Sequence, residues 1–354
     1  AVSVELADDA PPRIAVHDSR MGCAHLPIGG RPDPVVTKRP ASTIERSAPI
    51  AATGALAGTF AHGFGDTYGE GTRTTAVLAM RDGKVLGERY APGFGPAVPQ
   101  RTWSVAKSIA ATLVGMAVHR GEAAVDQSAG LGIDINDART QITLDHLLRI
   151  ASGRYSDTAG NRTDPLYYGG STVAETALHW PLVHEPGSIF RYANNDTLAA
   201  VNAIEASLAK QPPAQVFAQL GMFDTVAETD WRGDYILSSQ VWSTARDLAR
   251  LGQLYLDDGV LADGTRVLPE DWADYVSAPD GPQPDGPFGY GAGFWLLDAV
   301  DGVPADTFAA MGNRGQFIVI VPSRDTVIVR RGEDLAGHRF DIAAFTRDVL
   351  ASLE

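Results

Sequence analysis

The chain has 354 residues, 44% hydrophobic and 20% charged, an ordinary composition for a soluble globular protein with ample length for a large core. Its formal net charge of −14 argues against nucleic acid or an anionic membrane surface as partner, because both select basic faces. No apolar run reaches the roughly 18 residues that span a bilayer, and the single cysteine, Cys23, allows neither an internal disulfide nor a Cys-rich zinc site.

The first residue is not Met, which fits a removed leader or a trimmed chain equally. Residues 1 to about 55 are rich in Pro and Ala and predict an irregular N-terminal arm. The runs TTAVLAM and VLGERYA (74–91) flank Asp82-Gly83, a dipeptide that tolerates the positive φ of a tight hairpin turn. Then SVAKSIAATLVGMAVHR (104–120) predicts a helix that stops at Gly121. Between about 122 and 235, TLDHLLRI, STVAETALHW and NDTLAAVNAIEASLA read as helical. The stretch 243–259 predicts an amphipathic helix with Leu248, Leu251 and Leu254 on one face. From 285 the pattern returns to β through YGAGFWLL, QFIVIVP and TVIVRR, and the tail from 338 to 353 reads as helix.

These elements predict an α/β protein of α+β type, with one antiparallel sheet flanked by helices and built from both ends of the chain. The expected division is an arm at 1–55, a sheet domain at 56–120 and 240–354, and a mainly helical domain inserted at 121–239.

If a helix begins at 104, Ser104 and Lys107 share a face, and the positive end of the helix dipole favours an alkoxide there. A desolvated lysine can lose its proton and then accept the serine's. The plain alternative is a Ser N-cap followed by a solvated Lys. Context favours chemistry: Lys107 is the only charged residue between Arg101 and His119, on a helix apolar nearly all round. In EPGSIFRYANND (185–196), Tyr192 could relay a proton, and the Asn194 amide could bond the lysine or the region of a substrate carbonyl. A packing aromatic and an Asn N-cap are the plain alternatives. In MGNRGQFIVIVP (311–322), Gly315 would let a ligand approach a strand edge. The Gln316 and Ser104 N–H groups could then stabilise an oxyanion, while Arg314 either binds a carboxylate or faces solvent.

In this order the three stretches resemble the serine β-lactamase and penicillin-binding-protein-like hydrolases, nearest the class C-related branch of esterases, D-amino-acid peptidases and nylon-oligomer hydrolases. SVAK matches the family's S-x-x-K and YAN its Y-x-N, and ITLDHLLRIASGRY (142–155) looks like the segment that follows the first helix. The likeness runs from about residue 70 to the C-terminus. It implies a β-lactamase/transpeptidase-like fold with the site between the two domains. Ser104 would be acylated, Lys107 would be its base or relay, Tyr192 the acid/base partner and Asn194 an orienting amide.

The family's third motif, K-T-G or H-x-G, is here Asn313-Arg314-Gly315. That departure removes the cation used to recognise β-lactams and D-alanyl peptides, so the expected substrates are small-molecule carboxylic esters or short linear amides. β-Lactamase or D-amino-acid peptidase activity and a non-catalytic binding protein on the same fold are the alternatives. Tyr155, Tyr167, Tyr168 and Trp242 are pocket walls by family position, or ordinary packed aromatics. No cofactor is implied. His119, His146, His184 and His338 have no metal-ligand spacing, so no metal is expected. Asp224, Asp230 and Asp234 read as a solvated loop, and GYGAGF (289–294) lacks the setting of a nucleotide loop.

Overall fold

The computed structural model describes residues 1–18, 22–30, 48–156, 163–168 and 170–354. Its first elements correct one expectation. The N-terminal arm is not wholly irregular, because strands β1 (Val2–Val4), β2 (Arg13–Asp18) and β3 (Gly22–His25) pair antiparallel in that order. The side chain of Cys23 lies outside the described residues, as do residues 31–47 of the arm. Helix α1 (Gly54–His62), which the sequence pattern did not reveal, leads into the main body.

Strands β4 (Thr74–Arg81) and β5 (Lys84–Tyr90) form the predicted hairpin, with Asp82 at φ 50° and Gly83 at φ 69° closing the turn. Strand β6 (Gln100–Arg101) precedes α2 (Val105–His119), which ends before Gly121 at φ 70°. The helical stretch then holds α3 (Leu144–Leu148), α4 (Asp164–Tyr168), a π-helical turn at Ala174–Leu178, α5 (Asn194–Ala203), α6 (Glu205–Lys210) and α7 (Pro213–Gln219). Strands β7 (Val226–Ala227) and β8 (Val241–Ser243) follow, then α8 (Ala245–Leu256) and α9 (Trp272–Ser277). The chain closes with β9 (Gly289–Tyr290), β10 (Trp295–Leu296), β11 (Phe308–Gly312), β12 (Gln316–Val321), β13 (Thr326–Gly332) and α10 (Ile342–Ser352). YGAGFWLL is thus two short strands around a loop rather than one strand. β11 escaped prediction because FAAMG has little β propensity.

One seven-stranded antiparallel sheet, in the order β5-β4-β13-β12-β11-β10-β9, takes strands from both ends of the chain. Its register explains the near-continuous apolar runs. Leu78, Val329, Ile318 and Ala310 align across four strands and pack with residues of α2 and α8. The alternate residues Val77, Ile328, Val319 and Ala309 pack with residues of α1 and α10. A sheet covered on both faces has no polar alternation to show. Leu248, Leu251 and Leu254 of α8 are buried as their spacing required. A second small sheet, β6-β8-β7, carries the segment just before α2. Among the described residues no helix is long and apolar enough to cross a membrane, and no group of three His, Cys, Asp or Glu could hold a metal ion.

Candidate active site

Strand β6 hands the chain to α2 through a tight turn. The Thr102 N–H donates to the Val241 carbonyl at 2.8 Å, and Trp103 takes φ 50°, an uncommon left-handed conformation for a bulky residue. Ser104 follows at the N-cap, and its side chain makes no capping hydrogen bond. The hydroxyl is not spent on starting the helix.

Every residue from Val105 to Ala117 is buried, and Lys107 is 2% exposed, so it is no solvated surface charge. Its Nζ lies 3.1 Å from the Ser238 carbonyl and 3.4 Å from Ser104 Oγ, and it donates to Asn194 Oδ1. Burial pulls the amine down to about 7, with the charge of Asp196 opposing. In the neutral amine two N–H groups stay on Asn194 and Ser238, which turns the lone pair toward the Ser104 hydroxyl.

Asn194 opens α5, and its orientation is fixed by its partners. Nδ2 donates to Thr163 Oγ1 at 3.0 Å and to the Tyr167 hydroxyl at 3.3 Å, which leaves Oδ1 for the lysine. Ser239 Oγ donates to the same Tyr167 hydroxyl at 2.7 Å. Asp196, in the first turn of α5, is buried and held by Ser152 Oγ at 2.7 Å and Arg154 Nη2 at 3.0 Å.

Tyr192 precedes α5, and its phenol lies beside the Ser104 side chain. Burial pushes the phenol up to about 12, with the Ser104 side chain opposing, so it is protonated near neutral pH. The Tyr192 ring centroid is 5.0 Å from Lys107 Nζ, 5.7 Å from the stacked Trp295 ring and 6.2 Å from Tyr290 edge-on. Ser104, Lys107, Tyr192 and Asn194 therefore meet in one cluster.

The third stretch is placed differently from the sequence expectation. Gly312, not Gly315, faces the start of α2: a Cβ there would lie 2.4 Å from the Thr102 carbonyl oxygen and 3.1 Å from Ser104 N. Gly315, at φ 75°, sits against Arg330 and Asp334 instead. Gln316 pairs with Gly312 across the β11–β12 hairpin, so its N–H lies in the plane of the sheet rather than toward Ser104. Its buried side chain accepts Arg331 Nε at 2.7 Å, and Arg331 in turn donates to the carbonyls of Gln100, Arg101 and Ser243. Gln316 thus supports the strand that leads to Ser104.

Asn313 and Arg314 are exposed in the turn, where Asn313 Oδ1 accepts the Arg314 N–H at 2.8 Å. The Arg314 guanidinium is 5.8 Å from the Trp103 ring centroid, and that of Arg101 is 3.6 Å from it. Trp242 stands opposite Arg101 on β8, 39% exposed, and donates Nε1 to Glu228 at 2.9 Å. Tyr155 packs beside Trp180 at 6.4 Å. The side chain of Tyr168 lies outside the described residues.

Asp230, expected in a solvated loop, is buried and accepts the N–H groups of Val173, Arg232 and Asp234. Sequence reasoning also missed Gly312, the Ser238 carbonyl, Trp103, Tyr290 and Trp295. Gly312 alone had a signal, as the other glycine of MGNRG.

Residues 60–350 match the β-lactamase family. The chain belongs to the β-lactamase family. A 6-aminohexanoate-dimer hydrolase of Paenarthrobacter ureafaciens is 28% identical over 294 residues, covering 74% of this chain and 73% of that one. Among solved structures, a penicillin-binding protein homologue from Caulobacter crescentus superposes with a TM-score of 0.66 at 16% identity, covering 85% of this chain and 98% of that one. A penicillin-binding protein from Bacillus halodurans gives 0.63 at 15% identity, covering 85% and 98%. At these identities the structural likeness concerns the fold alone. The protein is accordingly a hydrolase of the serine β-lactamase and penicillin-binding-protein-like superfamily.

Proposed function

We propose that the protein hydrolyses carboxylic esters or small linear amides through an acyl-enzyme on Ser104. The observation that carries this reading is the contact of Lys107 Nζ with Ser104 Oγ inside a buried helix, with the amine pulled to about 7. Neutral Lys107 takes the hydroxyl proton as Ser104 Oγ attacks the carbonyl carbon. The oxyanion forms beside the Ser104 N–H, with the N–H of Asn313, next to Gly312, as the second donor. Tyr192, a protonated phenol, hands its proton to the departing alcohol or amine and recovers one from Lys107. Water, deprotonated by the same pair, then attacks the acyl carbon and frees the acid.

Two groups whose surroundings push their titrations apart, one near neutrality and one far above it, divide the base and acid roles. The likeness to a 6-aminohexanoate-dimer hydrolase favours linear amides. With Gly312 as the glycine of the third motif, Ala310 stands where that motif begins, so the register shift supplies no cation for a β-lactam carboxylate.

The test is turnover of p-nitrophenyl butyrate and of a linear aminohexanoate dimer, with mass spectrometry of the Ser104 peptide. Wild type should turn over and carry a butyryl adduct on Ser104. Ser104→Ala should fall by about 10³-fold or more and carry none. Full turnover by Ser104→Ala would refute the proposal.

A further inference from the structure

Further along the face of α5 that begins at Asn194, the helix closes a second pocket. Leu198 and Val201 form one wall, Leu208 of α6 another, and Val173 with Tyr235 the remainder, around a volume of about 210 Å³. A dry cavity of about 150 Å³ suffices for benzene, so this one has room for a chain of about six or seven heavy atoms. Leu198 and Val173 also belong to the apolar cluster that seats Tyr167, the residue bonded to Asn194.

Two carboxylates, Glu205 and Asp234, line this largely apolar space beside the amide of Asn202, and no Lys or Arg lines it. Asp230 lies beneath the same loop and accepts the Asp234 N–H at 3.0 Å. Burial first, then the charges of Asp230 and Glu205, hold the Asp234 carboxyl above its ordinary range, while Arg232 opposes them. Glu205 is exposed at the edge of the pocket and Asp234 half-buried, so the two acids give the apolar slot a negative end that Arg232 only partly offsets.

We infer that this pocket binds a linear primary amine, its methylene chain on Leu198, Val201 and Leu208 and its ammonium between Glu205 and Asp234. Charge complementarity selects this occupant. A neutral alkyl chain leaves the two like charges facing each other, and a chain ending in a carboxylate adds a third. A bare divalent cation wants about six or more oxygen ligands, and two carboxylates with one amide fall short of that; among the described residues no group of three His, Cys, Asp or Glu could hold a metal ion. The inference does not depend on hydrolysis at Ser104.

Calorimetric titration of the full chain with n-hexylamine, 1-hexanol and hexanoate tests it. Hexylamine should bind at least about tenfold more tightly than the other two, the gain expected of one charge-assisted contact. The Glu205→Gln/Asp234→Asn variant should bring hexylamine down to the level of hexanol. Ala209→Trp, which fills the pocket from a lining position on α6, should abolish binding of both. Equal affinity for the three ligands in wild type overturns the inference. Amine binding that survives both variants overturns it too, and its loss on acylating Ser104 would place the amine in the catalytic cleft instead.

Discussion

Lys107 and Arg331 are both buried cations bonded to neutral oxygens rather than carboxylates, and their pockets put them to different uses. Arg331 fills its donors with Gln316 Oε1 at 2.7 Å, the Ser243 carbonyl at 2.6 Å and the carbonyls of Gln100 and Arg101 at 2.9 and 3.2 Å. Burial lowers its affinity for the proton, yet a guanidinium stays charged across the working range, so it acts as a fixed clamp. Lys107 has three oxygen neighbours, and one of them, the Ser104 hydroxyl, can itself give up a proton. Burial brings that amine to about 7, where it can exchange. Beside Arg331, Arg330 shows a third solution: it pairs with buried Asp334 through contacts of 2.7 and 2.8 Å. Desolvation alone therefore does not make a base. It takes a group able to lose its proton and a donor beside it.

The contrast can be broken most directly by removing each cation. Lys107→Met should cost about 10³-fold in kcat/KM on a p-nitrophenyl ester, in the range of general acid–base catalysis. The same change should move the melting temperature little, because it deletes a desolvated charge but also takes the donor from Asn194 Oδ1 and the Ser238 carbonyl. Activity within tenfold of wild type would deny Lys107 its role. Arg331→Met should do the reverse in emphasis, destabilising by about 3 kcal/mol in urea unfolding because it orphans several buried acceptors. Gly312→Ala comes next. Its methyl would press on the Thr102 carbonyl and Ser104 N, and a displacement of that kind should cost about 10²-fold in kcat with the chain still folded.

A smaller effect is expected from linkage. The folded lysine titrates near 7 against 10.5 ordinarily, so between those values the unfolded chain holds the extra proton. Lys107 thus contributes stability that rises with pH across that window, and the contribution should vanish in Lys107→Met when denaturation is followed against pH. Arg314→Ala should matter least, about threefold or less on a neutral ester, since its exposed guanidinium stands off against Trp103.

Much of this was legible in the sequence. The Asp82-Gly83 hairpin, the Ser104 helix and the 243–259 helix follow from turn chemistry and 3.6-residue periodicity, which are local. A lone lysine on an apolar helix likewise announces a buried charge. Choosing between Gly312 and Gly315 is not local, because it depends on hairpin register, and the turn at 313–315 shifts the approach to Ser104 by three residues. β11 was hidden for a related reason: small alanines and a glycine pack under α2 only because the neighbouring strands place them there. Tyr290 and Trp295 could not be tied to Tyr192 from a separation of about a hundred residues.

The most direct test follows the lysine itself. The chain has four lysines, Lys38, Lys84, Lys107 and Lys210, so ¹³C/¹⁵N-lysine labelling gives a sparse spectrum that Lys107→Met assigns. Titrating the Lys107 Cε and Nζ shifts should give a midpoint near 7, matched by a rise of kcat/KM through the same pH. A Lys107 signal that stays that of a charged ammonium to pH 9, while the enzyme turns over normally at pH 7.5, would contradict proton removal from Ser104 by this amine.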